Sequence, residues 1–226
     1  MIRLLSRRSR PQDAGFTMLE LIVVVAAIAI LAAILTPMVL RLIDDSRVSR
    51  AQSETEAIAI AISALYKDTA SWPYTNANGP TGNSVSRLIG STNVATGAAS
   101  GAGAGAANWG AYGTSKHLGD FLYWNNPDND SRANGSNANQ AADYPTSGAR
   151  SWKGPYLENY DIEDPWGRAY IVNVRYLPGG AYAGAQRHKV LVLSAGPDGQ
   201  WSTPFSDNTT EDVQGDDIGH VIHVTN

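Results

Sequence analysis

The chain has 226 residues, with 17 Lys and Arg against 21 Asp and Glu, and a net charge of −4 at neutral pH. It contains no cysteine, which excludes disulfides as a means of closing its loops. The acidic balance argues against nucleic acid as a partner, because proteins that bind nucleic acid usually carry a basic surface.

A basic leader precedes a long apolar run at the amino end. The leader has a single acid, Asp13, against four arginines: Arg3, Arg7, Arg8 and Arg10. The run from Leu21 to Leu40 has no charged residue, and about 20 such residues suffice to cross a bilayer core. Glu20 stands at the entry to this run. A carboxylate in a membrane is costly enough to indicate a function.

The junction Ala14-Gly15-Phe16-Thr17-Met18-Leu19-Glu20 places its small residue before the apolar run, whereas a secretory signal is cleaved after it. The pattern Gly15-Phe16-Thr17-x-x-Glu20 resembles the processing site of the type IV pilin and type II secretion pseudopilin superfamily. The resemblance implies that a prepilin peptidase cuts after Gly15 and methylates Phe16. It also implies that Glu20 neutralises the terminal amine of an adjacent subunit during filament assembly.

Two alternatives stay open at this junction. The chain could keep its leader as a single-pass anchor whose arginines follow the positive-inside rule. Glu20 could instead reach the headgroup region, since it lies close to the end of the apolar run.

The leader interpretation assigns residues 1–15 to the leader peptide, 16–40 to a membrane or filament-core helix, and 41–226 to a globular domain. Removing the leader changes the net charge from −4 to −7, because four arginines and one aspartate are lost.

The helix continues beyond the apolar run. Residues at spacings of three and four form an amphipathic stripe: Val48, Ala51, Thr55, Ile58, Ile62 and Leu65. This periodicity predicts one helix from about Thr17 to about Lys67, which ends before Pro73 because the residue preceding a proline disfavours helix. Pro37 predicts a kink or local unwinding.

Residues from about 76 to 150 are rich in Gly, Ala and Asn, which predicts a flexible surface insertion. Scattered aromatic residues predict that parts of this segment dock on the domain: Trp109, Tyr112, Phe121, Tyr123 and Trp124. Two strands are predicted after it, over residues 171–176 and 189–193.

Four short motifs follow in order near the carboxyl end: Gly154-Pro155-Tyr156-Leu157, Asp164-Pro165-Trp166-Gly167, Gly196-Pro197-Asp198-Gly199 and Asp216-Asp217-Ile218. Their order resembles the major pseudopilins of type II secretion. The resemblance implies a pilin-like α+β fold, with a long amino-terminal helix packed on a small antiparallel sheet and a carboxyl-terminal calcium loop. Asp164-Pro165-Trp166-Gly167 predicts a turn before a strand, with Trp166 anchored in the core.

The last 29 residues hold no Lys or Arg but six acids: Asp198, Asp207, Glu211, Asp212, Asp216 and Asp217. Clustered carboxylates favour a hard cation with oxygen ligands, and a flexible loop suits calcium better than magnesium. The resemblance places calcium ligands at Asp198, Asp216 and Asp217, with backbone carbonyls near Ala195. Asp207 or Asp212 stays open as a substitute ligand, and so does a solvated acidic loop without an ion.

The resemblance implies a structural subunit of a type II secretion pseudopilus, held by one span in the bacterial inner membrane with its domain in the periplasm. The implied partners are further copies of the chain, minor pseudopilins, the prepilin peptidase and the inner-membrane assembly platform. A surface pilin for adhesion, motility or DNA uptake is the alternative, and a membrane-anchored binding module is a third. We expect no enzymatic activity, because Ser194 lies in no Gly-x-Ser-x-Gly elbow.

Overall fold

The computed structural model describes residues 15–73, 88–92, 114–127, 143–178, 188–203 and 212–224. The predictions made for residues 1–14, Trp109, Tyr112, Asp207 and Glu211 fall outside these ranges. The chain divides into two units, residues 1–45 and 46–226, and helix α1 (Met18–Thr69) contributes to both. The predicted helix is therefore confirmed to within two residues at either end.

In the first unit, α1 carries no charged residue from Leu21 to Leu40. All residues described from 15 to 47 are exposed in the single chain. Among the described residues, one helix is long and apolar enough to cross a membrane, and it is α1. The helix continues through Pro37 without local unwinding, and the kink stays a prediction. Pro37 has no N–H to donate to the preceding turn, and the neighbouring Thr36 hydroxyl donates to the Ala32 carbonyl at 2.6 Å.

The second unit contains a five-stranded sheet. Its strands are β1 (Leu88–Gly90), β2 (Thr114–His117), β3 (Ile171–Val172), β4 (Lys189–Ser194) and β5 (Ile218–Val224), in the spatial order β2-β1-β3-β4-β5. The pairings of β1 with β3, β3 with β4 and β4 with β5 are antiparallel, as predicted, whereas β1 and β2 pair in parallel. The predicted strand over 171–176 is shorter than expected, because a 3₁₀ turn follows it at Val174–Tyr176.

The amphipathic stripe of α1 enters the core of this unit. Of its six predicted members, Val48 is half-buried and the others are buried. Ile58, Ile62 and Leu65 join a cluster that includes side chains from three strands: Ile89, Ile171, Val172, Val190, Val192 and Leu193. Burial of these apolar surfaces is the main stabilising contribution that ties the second half of α1 to the domain.

Part of the segment predicted as an insertion also belongs to the core. Strands β1 and β2 and the short helix α2 (Leu118–Leu122) all lie between residues 76 and 150. Phe121 is fully buried, which confirms that it docks, while Tyr123 is half-buried and Trp124 is exposed. The described stretches of this segment belong to the folded domain, because they contribute two strands and buried apolar side chains. The average composition of the segment does not indicate them.

Three hydrogen bonds, to Glu54 and Asp68, connect α1 to the rest of the second unit. The Tyr170 hydroxyl donates to Glu54 Oε2 at 2.5 Å, and Glu54 also accepts from Arg50 at 2.8 Å. Burial, followed by the hydrogen bond to Glu54, raises the pKa of Tyr170 far above its usual range, so the phenol remains a donor. Near the end of α1, Asp68 accepts from Lys153 Nζ at 3.2 Å and from the Tyr156 hydroxyl at 3.0 Å.

Candidate functional site

The predicted processing junction lies outside the helix. Residues 15–17 precede α1, and Phe16 is 85% exposed. A Cβ added at Gly15 would meet no atom within 4 Å. Packing against the described residues therefore does not require glycine at this position.

Glu20 caps the first turn of α1. Its Oε2 accepts from the Thr17 backbone N–H and from the Thr17 hydroxyl, both at 2.8 Å, and the Glu20 N–H donates to the Thr17 hydroxyl at 3.2 Å. This reciprocal arrangement is a capping box, which satisfies otherwise unpaired groups of the first turn. The pattern Thr17-x-x-Glu20 could have predicted it from the sequence. Both bonds use Oε2, and no bond to Oε1 occurs within the described part of the chain.

The predicted acidic loop begins directly after β4. Asp198 is exposed, and its Oδ1 accepts from the Gln200 N–H at 2.7 Å. The Asp198 N–H donates to Asp216 Oδ2 at 3.1 Å, so the structure brings these two predicted ligands together. Gly196 allows this approach, since a Cβ there would lie 2.0 Å from the Asp216 carbonyl oxygen.

Asp217 is the buried member of the predicted set, with 7% of its surface exposed. Its Oδ2 accepts from the N–H groups of Ser202 at 3.0 Å and Thr203 at 2.7 Å. Its Oδ1 is buried and has no hydrogen-bond partner among the residues that the structure describes. Burial raises the pKa of Asp217, and the neighbouring charge of Asp216 adds to that effect. An unpaired buried carboxylate oxygen is costly, and a cation would satisfy it.

The predicted ligands do not converge as a set. Within the ranges that the structure describes, no group of three or more His, Cys, Asp or Glu side chains is arranged to hold a metal ion. Asp198 and Asp216 meet through a backbone N–H, and Asp217 faces Ser202 and Thr203. Asp212 forms an ion pair with Lys189. The donor atoms are thus oxygens of the kind calcium takes, and the orphaned Oδ1 of Asp217 fits an ion.

The turn at Asp164 supports this loop, a role that the sequence did not predict. Asp164 is buried and accepts from the Arg168 N–H at 2.8 Å, the Trp166 N–H at 3.0 Å and the Ser194 hydroxyl at 2.6 Å. The predicted core position of Trp166 is wrong, since its ring is half-buried and stands outside the core cluster. Trp201 occupies the core from the acidic loop itself.

Two known protein families match the chain, one near its amino end and one in its carboxyl-terminal half. Residues 10–36 match the prokaryotic N-terminal methylation motif, and residues 133–213 match the type II secretion system protein G. Both matches support the resemblance of the chain to the type II secretion pseudopilins. It is 38% identical over 66 residues to the type II secretion system core protein G of Pseudomonas aeruginosa, a match that covers 29% of this chain and 46% of that relative. No solved structure matches.

The two matched ranges include some of the predicted site residues but not all of them. The methylation motif includes Gly15, Phe16 and Glu20 within its range. The protein G match includes Asp164 and Asp198 but ends before Asp216 and Asp217. The chain spans about half the length of the relative that it matches.

Proposed function

We propose that this protein is a structural subunit of a type II secretion pseudopilus, a periplasmic filament that drives folded proteins through an outer-membrane secretin. One observation carries the proposal: a methylation motif and a protein G domain occur in the same chain. The first motif serves a surface pilus equally well, whereas the second favours secretion. The subunit acts by assembly and not by catalysis, and nucleic acid is not its partner.

The proposed topology follows from the charges around the apolar run. The basic leader stays in the cytoplasm by the positive-inside rule, residues 16–40 cross the inner membrane once, and residues 41–226 lie in the periplasm. The partners are further copies of this chain, minor pseudopilins, the prepilin peptidase and the assembly platform of the inner membrane. The exposed apolar surface from Phe16 to Ile43 supports this, because a contiguous apolar patch of that size requires lipid or protein around it.

Processing would cut the chain after Gly15 and leave a methylated Phe16. The peptide bond between them precedes the first helical turn, and Phe16 is exposed, so a peptidase could reach it without unwinding α1. Cleavage would place the new terminal amine one residue before Thr17, which already binds the Glu20 carboxylate.

Glu20 would act in assembly, where its carboxylate neutralises the terminal amine of an adjacent subunit. The capping box holds the Glu20 carboxylate at the start of α1 and leaves Oε1 for such a partner. Replacing Glu20 by alanine makes the span more apolar, so Glu20→Ala should insert and be processed as in the wild type. Electron microscopy of cells that overproduce the secretion machinery should then show filaments for the wild type and few or none for Glu20→Ala. Filaments as abundant as those of the wild type would contradict the proposed pairing.

We also propose calcium binding by Asp198, Asp216 and Asp217, with a backbone carbonyl near Ala195. The unpaired Oδ1 of Asp217 and the contact between Asp198 and Asp216 support this site. The ion would cross-link the chain on either side of the acidic loop, where a cysteine-free protein has no disulfide to do so. Its binding energy would add directly to the stability of the folded form, by about 2.7 kcal/mol at one hundred times Kd.

Thermal melting in calcium, magnesium and chelator tests this site. Calcium should raise the melting temperature of the domain, and magnesium should reproduce little of that shift because it demands tighter octahedral geometry. Asp198→Ala and Asp217→Ala should each abolish the calcium response, whereas Glu158→Ala, at an exposed acid outside the loop, should retain it. A melting temperature that is indifferent to calcium, chelator and all three substitutions would leave only a solvated acidic loop.

A further inference from the structure

Arg168 places its guanidinium against the backbone of the acidic loop. Its Nη1 donates to the Gly196 carbonyl at 2.5 Å, and its Nη2 lies 3.4 Å from the Pro197 carbonyl. The guanidinium also covers Gly199, since a Cβ built on that glycine would lie 2.4 Å from Arg168 Cζ. A fixed positive charge thus contacts both residues that flank Asp198.

Both ends of this contact are tied to one buried carboxylate. Asp164 Oδ1 accepts from the Arg168 N–H at 2.8 Å, and Asp164 Oδ2 accepts from the Ser194 hydroxyl at 2.6 Å. The same Ser194 oxygen accepts from the Gly196 N–H at 3.2 Å. Asp164 therefore holds the Arg168 backbone close to Ser194, which in turn holds Gly196. The Gly196 carbonyl is the group that the Arg168 guanidinium contacts.

Asp216 also contacts this part of the loop. The Asp198 N–H donates to Asp216 Oδ2, and the Asp216 carbonyl oxygen lies close over Gly196. Residues 196–199 therefore contact both a guanidinium and an acid. The Gly196 and Pro197 carbonyls face a cation of the protein itself, although carbonyl oxygens are also ligands that calcium accepts.

We propose that Arg168 is a positioning residue that serves as a built-in cation for the acidic loop. Its guanidinium holds the carbonyls of Gly196 and Pro197 and keeps residues 195–199 of the loop ordered when no calcium is bound. A second consequence rests on the proposed calcium site. Calcium adds less order to this loop than it would in a chain without Arg168, because part of its cross-linking is already supplied.

Hydrogen–deuterium exchange of the full chain in detergent micelles tests the proposal. Arg168→Met keeps most of the apolar stem but removes the charge and the donors, whereas Arg168→Lys keeps the charge without the planar fork. Arg150→Met makes the same chemical change at an exposed position outside the loop. Exchange is followed in peptides that cover residues 195–200 and, as an internal reference, β4, in chelator and in millimolar calcium.

In chelator, the 195–200 amides of Arg168→Met should exchange about tenfold faster than in the wild type, because charge-assisted hydrogen bonds that restrain local opening are lost. Arg168→Lys should lie between the two, and Arg150→Met should match the wild type. Calcium should restore most of the lost protection in Arg168→Met. The ratio of exchange rates without and with calcium should therefore be larger in Arg168→Met than in the wild type.

Other outcomes separate this proposal from the calcium site. Unchanged exchange of Arg168→Met in chelator would overturn the proposal, and so would equal acceleration of β4, which would assign Arg168 to the fold at large. Faster loop exchange with no calcium effect in either protein would support the role of Arg168 and overturn the calcium site. If calcium slowed loop exchange in the wild type but slowed it less in Arg168→Met, the role of Arg168 as a built-in cation would be overturned.

Discussion

Replacing Asp164 by alanine should destabilise the second unit strongly, because one buried carboxylate accepts three hydrogen bonds. Its partners are the N–H groups of Trp166 and Arg168 and the hydroxyl of Ser194. Ser194 is fully buried, so leaving its O–H donor without an acceptor costs about 1–3 kcal/mol, and each half-buried amide adds about 1 kcal/mol. We expect a total loss of about 3–5 kcal/mol, which lowers the melting temperature by roughly 6–20 °C for a unit of this size.

Urea unfolding of a soluble fragment that starts at Ser46, the first residue of the second unit, measures this loss. Asp164→Asn is the matched control, because its Oδ1 can still accept from the backbone and its amide can donate to the Ser194 oxygen. We expect this variant to lose about 1–2 kcal/mol. If Asp164→Ala unfolded within 1 kcal/mol of the wild type, the turn would not support the acidic loop, and the reasoning would be refuted.

Three further substitutions test separate parts of the account. Gly15→Leu should accumulate as full-length precursor with an unaltered fold, because no atom lies within 4 Å of a Cβ built at this position, and mass spectrometry of the amino terminus checks this. Normal cleavage would contradict it. Tyr170→Phe should lose about 1.5–3 kcal/mol in urea unfolding, because its hydroxyl bonds to the Glu54 carboxylate at 2.5 Å, and an unchanged midpoint would refute that contact. Gly196→Ala should increase proteolysis of the acidic loop, since the residue has φ +61° and its Cβ would lie 2.0 Å from the Asp216 oxygen. Wild-type resistance would show that this approach is not required.

The sequence predicted the long helix well, because its pattern is strong and local. Ala51, Ile58, Ile62 and Leu65 recur at helical spacing, and the structure buries each of them. The motifs after residue 150 predicted the sheet less completely. β4 was expected within one residue of its end, whereas β3 ends at Val172 because a 3₁₀ turn follows it.

Several features depend on contacts between distant residues and were not readable from local pattern. Phe121 reaches the core from a segment whose average composition resembles a loop. Trp166 and Trp201 are both flanked by turn residues, and the structure alone shows which one enters the core. The guanidinium of Arg168 meets Gly196 across 28 residues of chain, a distance over which no periodicity carries information.

Secretion by the source bacterium tests the central claim most directly. The gene would be deleted, and enzymes normally exported by type II secretion would be measured in the medium and in the periplasm. We predict that these enzymes stay in the periplasm, that the wild-type gene restores export, and that Glu20→Ala is processed but fails to restore it. Normal export from the deletion strain, with loss of surface pili instead, would contradict the assignment to a secretion pseudopilus.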